Sequence, residues 1–209
     1  MKVALIDYGA GNVASVERAL QRLGAESVSA STPRYIAGAS ALILPGVGHF
    51  AALIRALDER NLRAPLLDAL HRGVPFLGIC LGLQALYDSS EEAPDLCGLQ
   101  LFGGKIRALP ATAKLPHMGW NQLRLTNTSR LLEGVAPDAH FYFAHSYAAM
   151  AGDGNTAGDG NTEAVATCTH GSEFTAVLES RNINAVQFHP EKSGPPGARL
   201  LQNFLRLAA

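Results

Sequence analysis

Cysteine is scarce in this chain and is not arranged for cross-linking. Cys80, Cys97 and Cys168 are spread widely over 209 residues, and no Cys-x-x-Cys occurs. An odd, dispersed set excludes a disulfide framework and a zinc knuckle, and reduced thiols suit a cytoplasmic protein. Excess charge is lacking too. The formal net charge is −1 and the isoelectric point is near 6.6, which argues against a nucleic-acid or membrane-surface partner. No apolar run approaches the length of a membrane span. The opening stretch Met1–Asp7 is too short, and too soon interrupted by charge, to read as a signal peptide. No His-Glu-x-x-His or comparable ligand set occurs, which disfavours a metal enzyme.

What is present centres on Val74-Pro-Phe-Leu-Gly-Ile-Cys80-Leu-Gly-Leu-Gln84. Phe76 to Ile79 is apolar at consecutive positions, as in a strand buried on both faces. From Leu81 the spacing changes, and Leu83, Leu86 and Tyr87 suit one side of a helix. Cys80 sits at the switch with a glycine two residues to each side, the cysteine counterpart of the Gly-x-Ser-x-Gly nucleophile elbow. So sharp a strand-to-helix turn strains the nucleophile's backbone, and neighbours carrying Cβ atoms would collide. The turn also sets the sulfur at a helix N-terminus, which favours a thiolate. A buried structural cysteine is the bland alternative.

The rest of the chain supports an α/β fold. Val3–Ile6, Glu26–Ala30 and Ala41–Leu44 read as strands. Helices are expected from the stripe Val13, Val16, Leu20, Leu23, from Phe50, Leu53, Ile54, Leu57, and over Leu62–Leu70. Such alternation predicts an open, mostly parallel sheet with helices on both faces. Beyond Leu99 short strands predominate, over Leu101–Leu109, Trp120–Leu125, His140–Tyr147, Ala164–Cys168, Ala176–Glu179 and Ala185–Phe188. They read as an antiparallel extension of the same sheet, before a C-terminal helix striped by Leu200, Leu201, Phe204 and Leu205. The length suits one domain, 1–209. Gly9-x-Gly11-x-x-Ala14 formally matches a dinucleotide fingerprint. The second strand, however, ends in Ala30 and Ser31 where an acidic ribose ligand is wanted, so a tight turn is the preferred reading. Ala151–Thr156 is repeated as Ala157–Thr162. Asp-x-Asn appears twice, but without EF-hand spacing, so a lengthened, solvated hairpin loop is expected.

A cysteine nucleophile needs a base, and the base an orienter. His189 ends the apolar run Ala185–Phe188 and precedes Pro190 and Glu191. Proline holds it extended, and residues two apart in extended chain face one side, so Glu191 can orient the imidazole. Cys80 and His189 both fall at carboxyl ends of strands, where open α/β sheets carry their sites. The backbone N–H of Leu81 is the natural oxyanion donor. The Gly46-Val47-Gly48 loop at a neighbouring strand end can supply another.

Gly-Ile-Cys80-Leu-Gly together with His189-Pro-Glu191 resembles the class I, triad-type glutamine amidotransferases. The finer motifs are Asp7–Asn12, Pro45–Phe50, Pro116–Asn121, Tyr142–Tyr147 and Phe188–Gly194. As a set they resemble one branch of that family, the ammonia-donating subunits of histidine biosynthesis. The resemblance implies that L-glutamine is hydrolysed through a Cys80 thioester, with no cofactor. Ammonia would pass to a separate (β/α)8-barrel cyclase held as a heterodimer. It further implies that Gln84, Glu92, His145, Ser146 and Tyr147 contact glutamine, and that Asn12, Trp120, Asn121 and Lys192 lie at the subunit interface. His49 departs from the pattern, which has a small residue there. The competing readings are the glutaminase subunit of a pyridoxal phosphate synthase, a γ-glutamyl hydrolase or cysteine peptidase, and a binding module with a dead site. The Asp7–Asn12 and Pro116–Asn121 motifs argue against the first, and the intact Cys80, His189 and Glu191 against the last.

Overall fold

The computed structural model describes residues 2–10, 12–152 and 164–209. Gly11 of the glycine turn, and the duplicated segment from residue 153 onward, lie outside the described residues. The first half runs β1 (Lys2–Ile6), α1 (Val13–Arg22), β2 (Glu26–Ala30), α2 (Pro33–Ala37), β3 (Ala41–Gly46), α3 (Phe50–Glu59), α4 (Arg63–His71) and β4 (Phe76–Cys80). The second half follows with α5 (Leu81–Gln84), β5 (Tyr87–Ser90), β6 (Phe102–Ala108), β7 (His117–Gln122), β8 (Arg124–Leu125), β9 (His140–His145) and β10 (Tyr147–Ala149). It closes with β11 (Ala164–His170), β12 (Ser172–Ser180), β13 (Ile183–Val186), a 3-10 turn (Pro190–Lys192) and α6 (Gly194–Leu207).

The continuous apolar runs divide their side chains between two cores, as period-two alternation requires. Val3 and Leu5 of β1, Ala41 and Ile43 of β3, and Leu77 and Ile79 of β4 pack with Val16 and Leu20 of α1 and with Leu200, Leu201 and Phe204 of α6. Ala4, Ile6, Leu42, Leu44 and Phe76 point the other way, onto Ile36 of α2, Phe50, Leu53 and Leu57 of α3, and Leu66 and Leu70 of α4. Each such side chain, fully buried, contributes roughly 1.5–3 kcal/mol before the entropy of ordering it is subtracted.

The main sheet has the order β2-β1-β3-β4-β13-β12-β11-β8. The five strands from β2 to β13 are parallel, and β12, β11 and β8 add on antiparallel. Part of the late region leaves this sheet. β10, β6 and β5 form a three-stranded sheet, and β7 pairs with β9 as a ribbon. The run His140–Tyr147 therefore divides at Ser146 between two sheets, where Leu109 N–H donates to the Ser146 carbonyl.

The helix expected after Cys80 is a single turn. Leu86 and Tyr87 fit a helical stripe, but the chain has already turned, and Tyr87 pairs with Phe102 in β5 and β6. Burial of the Tyr87 ring against Phe102 outweighs a weak local helical tendency.

Candidate active site

The elbow forms as its glycines require. Cys80 has φ +55 and ψ −106, a left-handed region that side chains rarely occupy. A Cβ on Gly78 would lie 2.7 Å from the Gly82 carbonyl, and one on Gly82 would be driven onto the Leu44 carbonyl. The backbone therefore passes β3 too closely for any side chain. A one-turn helix carries little macrodipole, so stabilisation of charge on the sulfur falls to side chains.

β13 lies beside β4 in parallel, with Val186 opposite Ile79. His189 emerges just past β13, its N–H held by the Tyr142 carbonyl of β9 at 2.9 Å. Its Nδ1 meets Glu191 Oε1 at 2.9 Å, with both side chains almost completely buried. His189 also hydrogen-bonds the Cys80 side chain. Burial disfavours a charged imidazole, but the bonds to Cys80 and Glu191 and the charges of both outweigh it, and the His189 pKa is pushed up to about 10. At neutral pH His189 therefore keeps its proton and faces the Cys80 sulfur as an imidazolium. Asn12 donates Nδ2 to the same Glu191 oxygen at 3.1 Å. Asn12, expected at a subunit face, thus reaches the back of the Cys80–His189–Glu191 array.

A pocket of about 320 Å³ opens over Cys80 and His189. Val47, Gly48, Leu81, Gln84, Glu92, His145, Ser146, Tyr147 and Lys192 line it, along with Pro116, Met118 and Ala144, which sequence reasoning missed. Gly46 lies beneath, in register with Cys80 across β3 and β4. Gly48 has φ +93. His49 caps α3 by accepting the Ala51 N–H on Nδ1 at 3.1 Å, and Glu92 Oε2 accepts the Phe50 N–H at 2.6 Å. His49 is thereby tied to the start of α3, and Glu92 presents a carboxylate to the pocket.

His145 belongs to a buried chain whose proton positions the chemistry settles. The Tyr147 carbonyl can only accept, so His145 Nδ1, at 2.9 Å, carries the proton. Its Nε2 then accepts from His117 Nδ1 at 3.0 Å, and His117 Nε2 accepts from Asn121 Nδ2 at 3.3 Å. His170 stacks on His117 with ring centroids 4.1 Å apart. Burial first, then the neighbouring His170, lower the His117 pKa to about 4. Burial first, with the charges of His117, His170 and His189, lowers His145 to about 3 against the pull of its bond to Tyr147.

The residues expected at a subunit interface differ in where they point. In β7, Met118 and Trp120 point outward, 65% and 56% exposed, while His117 is buried. Asn121 turns inward to His117 and the Thr169 carbonyl. Consecutive strand residues face opposite sides, so Trp120 and Asn121 do not share a surface. Lys192 lines the pocket, its Nζ 5.7 Å from the centre of the Tyr142 ring. Sequence reasoning also passed over Gln187, a fully buried polar residue beside Cys80. The signal was there, since a glutamine interrupts an otherwise apolar strand end.

Two neutral buried histidines give the fold a defined acid response. Below about pH 6.5 the unfolded chain gains protons at His117 and His145 that the fold refuses until about pH 4 and 3, so stability falls with falling pH. His189 acts oppositely: its contribution is complete below pH 6.5 and is lost as pH rises toward 10. The melting temperature is expected to drop steadily between pH 6.5 and 5, and less steeply when His117 and His145 are both glutamine. A flat wild-type profile over that window would exclude neutral buried histidines.

A family model described as glutamine amidotransferase class-I matches residues 4–208. The chain is 46% identical over 205 residues to the imidazole glycerol phosphate synthase subunit HisH of Methanothermobacter thermautotrophicus, covering 98% of each. It is 44% identical over 207 residues to the protein of that name from Deinococcus radiodurans, covering 98% of this chain and 93% of that one. Among solved structures, a glutamine amidotransferase superposes with a TM-score of 0.76 at 22% identity, covering 99% of this chain and 98% of the other. PurLQS from Thermotoga maritima gives 0.76 at 19% identity, covering 100% and 99%.

Proposed function

This chain belongs to the class-I glutamine amidotransferase family, and on that premise we propose that it is the glutaminase subunit of an imidazole glycerol phosphate synthase. The observation that carries the reading is the buried Cys80–His189–Glu191 array opening into a pocket lined by Gln84, Glu92, His145, Ser146 and Tyr147. The Glu92 carboxylate suits the α-ammonium of L-glutamine, and the other four grip the rest of the amino acid.

The Cys80 thiolate, its proton held on His189, attacks the carboxamide carbon of glutamine. The carbonyl oxygen takes the negative charge and is met by the Leu81 N–H and by the Gly46-Val47-Gly48 backbone. As the C–N bond breaks, His189 gives its proton to the nitrogen and ammonia leaves, with the thioester remaining on Cys80. His189 then takes a proton from water, whose oxygen displaces the sulfur as glutamate. Glu191 keeps the imidazole aligned throughout and supports its charge.

Ammonia passes to a (β/α)8-barrel cyclase subunit bound as a heterodimer. There it joins a phosphoribulosyl-formimino carboxamide ribotide to give imidazole glycerol phosphate and an aminoimidazole carboxamide ribotide, a step of histidine biosynthesis. The docking face includes exposed Trp120 with Met118, and Lys192 of the pocket lining. Asn12 and Asn121 stand behind it. In this reading residues 1–209 act as one domain, in the cytoplasm, where thiols stay reduced.

Glutamate release should be slow for the isolated chain and much faster in its complex with the cyclase and the ribotide acceptor. The switch is placed in the Gly46-Val47-Gly48 backbone, which the partner biases toward an N–H-inward state. Gly48→Val, which puts a β-branched residue at φ +93, should lower stimulated turnover far more than complex affinity. Two results would overturn the reading: no glutamate release even in the complex, or full activity of the isolated chain.

A further inference from the structure

Gln187 is a buried polar group beside Cys80 that this reaction scheme leaves unused. It is completely buried, and an amide so placed costs roughly 1–3 kcal/mol wherever it goes unsatisfied. Both ends have partners. Oε1 accepts from Gln84 Nε2 at 3.1 Å, and Nε2 donates to Cys80 Sγ at 3.6 Å.

The direction of the amide is forced. The Tyr147 carbonyl accepts from His145 Nδ1 at 2.9 Å and from Gln84 Nε2 at 2.8 Å. A carbonyl cannot donate, so Gln84 must turn its NH2 toward Tyr147. The second N–H of that group points at Gln187, which must answer with its oxygen. The NH2 of Gln187 is left with the sulfur. The register agrees, because β13 lies parallel to β4 and places the residue after Val186 beside the residue after Ile79.

We infer that Gln187 is a further catalytic residue of the reaction proposed above: its N–H holds the Cys80 sulfur as a thiolate aimed into the pocket, while Gln84 and the Tyr147 carbonyl keep the amide from turning over. The inference rests on the reading of Cys80 as the nucleophile. A bond to a charged sulfur is stronger than one to a thiol or a thioester. Gln187 therefore acts on the formation and placement of the thiolate before acylation, and little on breakdown of the thioester.

The test compares Gln187→Met, which keeps length and loses the donor, with Gln187→Glu, which turns a carboxylate toward the sulfur. Exposed Cys97 is replaced by serine in all samples, and alkylation of Cys80 by iodoacetamide is followed on the full chain from pH 5 to 10. Gln187→Met should react about tenfold more slowly near pH 7, with its profile moved up by about one pH unit, because a hydrogen bond to a charged group is worth about that much. Gln187→Glu should move it further. In the complex, kcat/KM for glutamine should fall by the same factor while ammonia-dependent synthesis holds. A wild-type profile in a folded Met or Glu variant overturns the assignment. Lack of glutaminase activity in the wild-type complex, with the profile still shifted, would instead remove the proposed function and leave the Gln187–sulfur contact standing.

Discussion

Replacing Cys80 by alanine is expected to abolish glutamine-dependent synthesis by the complex while leaving ammonia-dependent synthesis nearly intact. In the proposed scheme Cys80 serves only to liberate ammonia, so an external supply would bypass it. The loss should exceed about 10⁴-fold in glutaminase kcat, since removing the nucleophile of a serine triad costs on the order of 10⁶. Cys80→Ser should do little better, because an alkoxide is far harder to form than a thiolate. His189→Ala should behave like the alanine variant at position 80. Glu191→Ala should retain on the order of a hundredfold more activity, as an orienting carboxylate is worth less than the base. Glutamate release and product formation, each with glutamine and with ammonium chloride, read all four. If ammonia-dependent synthesis collapsed too, the division of labour between subunits would be wrong.

The second large effect is structural. Gly82→Ala must push a methyl group into the Leu44 carbonyl of β3, and neither the elbow nor a central strand can give way cheaply. Overpacking of this kind costs about 3 kcal/mol, a fall of roughly 6–12 °C in melting temperature for a chain of this size. Glutaminase activity should fall further than stability, because any retreat of the elbow displaces both Cys80 and Leu81. Gly38→Ala is the matched control: its added Cβ would stand 3.5 Å from the Arg34 carbonyl, in ordinary contact, and should change the melting temperature little. Equal melting temperatures for Gly82→Ala and the wild type would show that the elbow is not sterically fixed.

How far the sequence foretold the structure depended on whether a signal was local. Phe76–Ile79 and Ala41–Leu44 were legible because both faces of their strands are buried, so every residue is apolar. Cys80 and His189 were legible because each ends such a run. Tyr87 was misread as helical because what holds it is Phe102, a neighbour in space on another strand. α2 escaped notice since five residues are too few to display a helical period. Asn121 was set beside Trp120 because a motif records adjacency in sequence, whereas β7 sends the two to opposite faces. The His117–His145 chain was invisible for a similar reason, its members meeting only when β7 pairs with β9.

The strand order has a consequence for how the chain is made. Cys80 precedes Gln187 by 107 positions, yet β4 and β13 lie side by side in the finished sheet. While the protein is being synthesised, β4 stands at the open edge of a half-sheet, fully apolar and without its partner until most of the chain has left the ribosome. Such an edge is a template for aggregation, and parallel pairing across so long a separation closes slowly. A nascent chain therefore depends on protection of that edge by chaperones or by rapid completion. On the proposed mechanism it also holds its thiol without a base, so glutamine would not be consumed before the last strand is in place.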